Sequence, residues 1–292
     1  MSKKIFLAYV TVLLFAACSN EPEINDQLEN NTFARVCVHV NGFNVSQEDF
    51  SGTRAAQDVA DYNDVNAVTL AFYKSDGTEA YKSTQAKGDA GFGEFECSLP
   101  MGSYTMVALA YYTNEYSVLT LTSPTEATFS TRARETFAYT QPVTIGNTNA
   151  VDISATLNRI VSMLTVASTD GKVSDVKNVR MTLSAGGKDF NPTTGFTLTN
   201  TGLVNTVGSS AAVGNTSTSS TVFFLATDEQ NIDVTIETLN ADGAVLFSKT
   251  VTNVPFKRNR VTKLTGKMYT TDAVGGTFQV ETAWLTEENV SF

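Results

Sequence analysis

An all-β chain, built as two β-sandwiches in tandem, is what three features of the sequence predict. Only 17% of its residues are charged, against about 25% in an ordinary soluble domain. Thr supplies 42 of the 292 residues, and β-branched side chains favour the pleated, half-buried surface of a sheet. Apolar residues alternate with polar ones in short runs separated by turn chemistry, and no segment shows the apolar stripe of an amphipathic helix. At roughly 150 residues per domain the length suits two domains, and a 42% hydrophobic content gives each a core. The expected divisions are residues 1–17, 18–31, 32–148 and 149–292.

The first division has Lys3 and Lys4, an apolar run over 5–15, and then Ala16-Ala17-Cys18. The run is too short to span a bilayer, which takes about 20 residues. The pattern resembles a bacterial lipoprotein signal peptide, cleaved before Cys18 so that this cysteine becomes the acylated N-terminus; Phe15 departs from it, standing where Leu is usual. Residues 19–31 carry Glu21, Glu23, Asp26 and Glu29 and no apolar periodicity, so they read as an acidic flexible tether. Acids just after a lipidated cysteine also resemble the surface-export signal of Bacteroidales lipoproteins.

The sandwich pattern begins at Phe33. Ala34, Val36, Val38 and Val40 share one face of a strand, with Arg35, Cys37 and His39 on the other. A long polar loop is expected over 43–66, since no strand-like run occurs there. Strands follow over 67–73, 93–99, 104–112 and 116–121. Ser75-Asp76-Gly77 makes a hairpin turn, Pro100-Met101-Gly102-Ser103 a second turn, and 129–145 holds one or two more strands. A second cycle starts near Asn149, with Val151, Ile153, Ala155 and Leu157 alternating, then strands over 160–166, 176–184, 195–198, 221–226, 232–239, 245–251 and 260–267. Asp170-Gly171, Gly186-Gly187 and Asp242-Gly243 punctuate them. Residues 204–220 are nearly all small or polar and read as an exposed loop.

Composition excludes several functions. The formal net charge of −10 leaves no basic surplus for nucleic acid. One histidine, His39, and three cysteines, Cys18, Cys37 and Cys97, show no ligand spacing, so no metal site, cofactor, Cys-His pair or Ser-His-Asp triad is expected. His39 is assigned no chemistry. A disulfide between Cys37 and Cys97 requires Cα atoms within about 7 Å, which the sequence does not establish. Tyr111, Tyr112, Tyr116 and Trp284 read as packing residues rather than a sugar platform, and Lys257-Arg258-Asn259-Arg260 as solvated charges in a turn at a strand end.

Four segments carry a resemblance. The run from Val254 through Pro255-Phe256-Lys257-Arg258-Asn259 to Thr262, Leu264 and Gly266 is similar to a late segment of the fimbrillin superfamily, the type V pilus subunits of Bacteroidales. Thr156-Leu157-Asn158-Arg159-Ile160-Val161 resembles the first strand of that family's second domain, and Leu99-Pro100-Met101-Gly102-Ser103-Tyr104 a turn in its first. Thr53-Arg54-Ala55 stands where its stalk subunits are processed.

The resemblance implies transthyretin-like or Ig-like sandwiches and no enzyme activity. It implies an outer-membrane lipoprotein, anchored through Cys18, that becomes part of a cell-surface fimbrium supporting adhesion. A protease cuts after a basic residue, here Arg54, with Arg35, Arg132 and Arg134 as competitors. The first strand, with Ala34, Val36, Val38 and Val40, then leaves, and a neighbouring subunit's strand fills the groove. Phe278, Val280 and Trp284 lie on one face of a Gly-led tail that is either this donor strand or the last strand of its own domain. A lipid-retaining anchor subunit, or a monomeric lipoprotein that binds glycan or protein, remains the alternative.

Overall fold

The structure, a computed structural model, describes residues 33–44 and 61–270 together with the backbone of 279–282. Among these there are eighteen strands and no helix. In chain order they are β1 (Phe33–Asn44), β2 (Ala67–Lys74), β3 (Glu79–Ala86), β4 (Glu94–Pro100), β5 (Gly102–Tyr111), β6 (Leu119–Ser123), β7 (Glu126–Phe129), β8 (Thr136–Ile145) and β9 (Val151–Arg159). After these come β10 (Ser162–Ser168), β11 (Asn178–Leu183), β12 (Asp189–Phe190), β13 (Leu203–Gly208), β14 (Thr218–Phe223), β15 (Glu229–Leu239), β16 (Val245–Lys257), β17 (Val261–Gly266) and β18 (Gln279–Thr282). The chain is all-β, as its composition requires.

The first half is one seven-stranded sheet, ordered β3-β2-β5-β8-β9-β1-β4. It curls until its edges meet: the Gln85 side chain on β3 donates to the Glu94 carbonyl of β4 at 2.7 Å and accepts from the Gly93 N–H at 2.8 Å. The concave face closes on one apolar core drawn from β1, β2, β4, β5, β8 and β9. The convex face of β2, β5 and β8 is buried too, against the small sheet β12-β7-β6 and against Ile160, Val161 and Phe224. A strand covered on both faces has no polar side to show, which is why β2 reads AVTLAFY almost without a break. Pro142 lies in β8 beyond its two pairs with β9, at Phe137 and Ala138, where the strand has β5 alone for a partner and a missing N–H is tolerated.

The second half is a sandwich of two four-stranded sheets, β14-β10-β17-β18 and β13-β11-β15-β16, closed on its own core. The halves are joined by an aromatic stack: Phe224 lies 4.3 Å from Phe190 and 6.3 Å from Phe129, ring centre to ring centre.

Four features depart from the sequence reading. β9, expected to open the second cycle, completes the first sheet, because its alternating residues pair with β1; the chain crosses to the second half only at Ile160. β3 was not expected, because none of its residues is buried and an exposed edge strand carries no apolar period. The segment read as a loop over 204–220 contains β13 and the start of β14. In β13 only Asn205 is buried, so the strand is held by its ladder with β11 rather than by an apolar face. Residues 195–198, expected as a strand, form irregular backbone with a bend at Leu198 instead; Gly195, at φ +76°, follows the turn over 192–194 and closes it by donating to the Asn191 carbonyl at 2.7 Å.

Phe224→Ala removes the ring that touches both halves. The expected loss is about 3–5 kcal/mol of unfolding free energy, read from urea denaturation.

Candidate functional site

The site to weigh is the slot that β1 occupies. Although first among the described strands, β1 is an interior strand. It pairs antiparallel with β4, from Phe33↔Pro100 to His39↔Glu94, and parallel with β9, from Val36↔Val151 to Asn44↔Asn158. Ala34, Val36, Val38 and Val40 all point into the core and are almost wholly buried. A bulge at Asn41 shifts the register by one residue, so that Phe43, not Gly42, continues the inward face opposite Leu157. Burying the three valines and Phe43 stabilises the strand by about 8 kcal/mol at roughly 2 kcal/mol each, an upper figure because unfolded chains already bury some surface.

The outward face is held more lightly. Arg35 meets Glu96 at 2.6 Å with both side chains about half exposed, and pairs of this kind contribute at most about 1 kcal/mol. His39 is bonded to Glu94 on the neighbouring strand, a partner 55 residues away that inspection of the local sequence does not reveal. Cys37 and Cys97 are thiols, not a disulfide. Register explains it: Cys97 lies opposite Val36 and shares its inward face, whereas Cys37 points outward. Strand β1 therefore has no covalent tie to β4. Burial, followed by the neighbouring Cys37 and Glu96, pushes the Cys97 thiol up to about 11.

At its C-terminal end the slot is closed by an aromatic cluster. Phe43 sits 4.1 Å from Phe137 and 5.3 Å from Tyr62, near the start of the next described segment. Arg159, the last residue of β9, lies over the Phe137 ring at 5.0 Å. Its guanidinium bonds Glu135 and the Tyr62 hydroxyl, and donates to the Asn259 side chain of the second half at 3.2 Å. Asn259 stands at φ +60°, a left-handed conformation that Asn tolerates better than most residues, and its N–H donates to the Val161 carbonyl at 2.8 Å. The basic run around it is not merely solvated: Lys257 meets Glu229 at 2.7 Å, and Arg258 meets Asp228 at 2.6 Å while lying over Phe196. This turn is part of the joint between the halves.

The remaining expected site residues fall as follows. Cys18, Arg54, Phe278 and Trp284 lie outside the described residues. Val280 is in β18, whose backbone pairs antiparallel with β17 of the same chain, Val280 opposite Leu264. Arg132 and Arg134, competitors for cleavage, are in a link whose backbone is tied down by Ser117 and Thr136. Tyr111 is buried against Thr69, Tyr112 lies beneath Arg134 and Tyr116 is exposed, so the three make no common platform. Among the described residues no group of His, Cys, Asp and Glu has the arrangement to hold a metal ion.

Residues 38–290 match the model of DUF6562, described as a family of unknown function. The chain belongs to this family. No curated protein matches it. Among solved structures, the fimbrial anchor protein Mfa2 from Porphyromonas gingivalis superposes with a TM-score of 0.54 at 10% identity, over 86% of this chain and 98% of that one. A candidate adhesin from Bacteroides ovatus superposes at 0.51 with 12% identity, over 80% and 88% of the two chains. A candidate polysaccharide-binding protein (DUF1812) from Bacteroides thetaiotaomicron gives 0.51 with 13% identity, over 88% and 99%. At these identities the likeness is one of fold.

Arg159 and Glu135 are only 12% and 13% exposed, so removing one partner strands a charge. Arg159→Met is expected to cost about 3–5 kcal/mol in urea denaturation, with part of the loss recovered when Glu135→Gln is added.

Proposed function

We propose that the chain is a non-enzymatic subunit of a cell-surface fimbrium. In this reading it is exported as a lipoprotein acylated on Cys18 and made ready for assembly when a protease cuts after Arg54. Cleavage frees β1, and a strand from a neighbouring subunit takes its place between β4 and β9. The observation that carries the reading is the place of β1: the first of the described strands, without a disulfide to its neighbours, fills an interior position of the sheet. An empty slot would leave apolar surface in water and two unpaired strand edges, so a replacement strand would be held firmly. The fold shared with a fimbrial anchor protein and a candidate adhesin supports the same reading, and adhesion is its biological output.

A lipid-retaining anchor is the second reading, favoured by a separate observation. Strand β18 pairs with β17 of its own chain, and a tail used in that way is not being donated. The anchor would keep Cys18 and β1 and accept no strand in the slot. The tandem organisation would then serve as a rigid spacer, with the division between the two bodies at Ile160.

The N-terminus of the protein on its native cell surface, read by mass spectrometry, tests the reading. A chain that begins at Ala55 and runs as a heat-stable ladder in detergent is the expected result. Lipidated Cys18 still joined to residues 33–44 would overturn it in favour of the anchor.

Cys97 gives a second readout. With β1 seated its thiol is buried and protonated at pH 8. Cutting the chain between β1 and β2 and removing β1 is expected to speed maleimide labelling of Cys97 at least tenfold. Unchanged labelling would mean that the slot closes rather than opens.

A further inference from the structure

The link between β7 and β8 sends two arginines to one place. Arg132 and Arg134 leave a fixed backbone: Ser117 Oγ donates to the Arg132 carbonyl at 2.6 Å, and Thr136 Oγ1 to the Arg134 carbonyl at 2.8 Å. Both line a pocket of about 220 Å³ whose other wall comes from the second half, with Asn205 of β13 and Ser220 and Thr221 of β14. Neither Asp nor Glu lines it. Glu135, next in sequence, is engaged by Arg159. The Arg134 guanidinium lies 5.5 Å from the centre of the Tyr112 ring and donates from Nη2 to Asn114 Oδ1 at 3.3 Å, while its Nε is buried with no acceptor.

This arrangement runs against the rest of the molecule. The chain carries a net charge of −10, and Arg35, Arg159, Arg180 and Arg258 each meet a carboxylate. Arg132 and Arg134 instead face each other's charge. Burial, followed by Arg132, lowers the Arg134 guanidinium's hold on its proton. A pair of like charges held together on rigid backbone is unfavourable alone, and an oxyanion between them would reverse the sign of both effects. Guanidinium groups suit that partner, since their fork of donors matches carboxylate geometry.

We infer that this pocket binds an acidic monosaccharide, such as a uronic acid unit of a glycan, its carboxylate held by Arg132 and Arg134. The Asn205 amide and the exposed Ser220 hydroxyl, which also bonds the Thr165 hydroxyl at 3.0 Å, provide hydrogen-bonding groups for the sugar's own hydroxyls. The volume lies below the range of roughly 300–1,000 Å³ that takes drug-sized ligands, and so suits a single ring. The site is separate from the slot of β1 and stands whether or not that strand ever leaves.

Titration of the intact chain with sodium glucuronate by calorimetry, beside glucose and sodium acetate at matched ionic strength, tests it. Saturable binding of glucuronate is expected, with no binding of glucose and at least tenfold weaker binding of acetate. Arg134→Gln and, as an independent variant, Arg132→Gln should each weaken glucuronate at least tenfold without lowering the melting temperature. Absence of saturable binding, or glucuronate binding unchanged in both variants, would overturn the site. Acetate bound as tightly as glucuronate would overturn the assignment to a sugar acid.

Discussion

The first half of the molecule depends on the double pairing of one strand. With β1 present, β4 and β9 are joined into a continuous curled sheet, and the concave core is sealed. Without it, β4 would keep only the bridge that Gln85 makes from β3, and β9 would keep its two pairs with β8. Losing an edge strand only trims a sheet, but β1 is set inside, so the integrity of the core and the identity of whatever occupies that position become the same question. The functional reading follows from this constraint more than from any single side chain.

Arg159 extends the constraint to the second half. One guanidinium touches the ring that backs Phe43, the hydroxyl of Tyr62, the carboxylate of Glu135 and the amide of Asn259. Those partners come from the link after β1, from the approach to β8 and from the turn between β16 and β17. The closed end of the slot and the hinge between halves are therefore one polar and aromatic cluster. In a low-dielectric setting such a network is stiff when every member is satisfied.

Much of this was legible in the sequence, and the exceptions have physical causes. Strand β1 announces itself through Ala34, Val36, Val38 and Val40 because its two faces meet different surroundings. The hairpin at Ser75-Asp76-Gly77 is equally plain, with Gly77 at φ +83° and Asp76 Oδ1 accepting from the Thr78 N–H. Strands β3 and β13 were hidden because an exposed edge strand is held by its ladder, which leaves no mark on side-chain polarity. β9 was recognised as a strand but assigned to the wrong sheet, since periodicity reports a face and never a partner. The same limit concealed the cluster at Arg159, whose partners Tyr62 and Asn259 stand 97 and 100 residues away. Arg132 and Arg134 read only as competitors to Arg54 for cleavage, in a stretch whose strands periodicity does not resolve; the fold reveals that their backbone is pinned and their side chains converge.

The parallel ladder between β1 and β9 sets an order of events during folding. Val36 and its partner Val151 are more than a hundred residues apart, and contacts of such long range form late because the closure of the intervening loop must come first. Strand β1 meets β4 across a much shorter loop, so its antiparallel ladder can form before the parallel ladder with β9 closes the sheet.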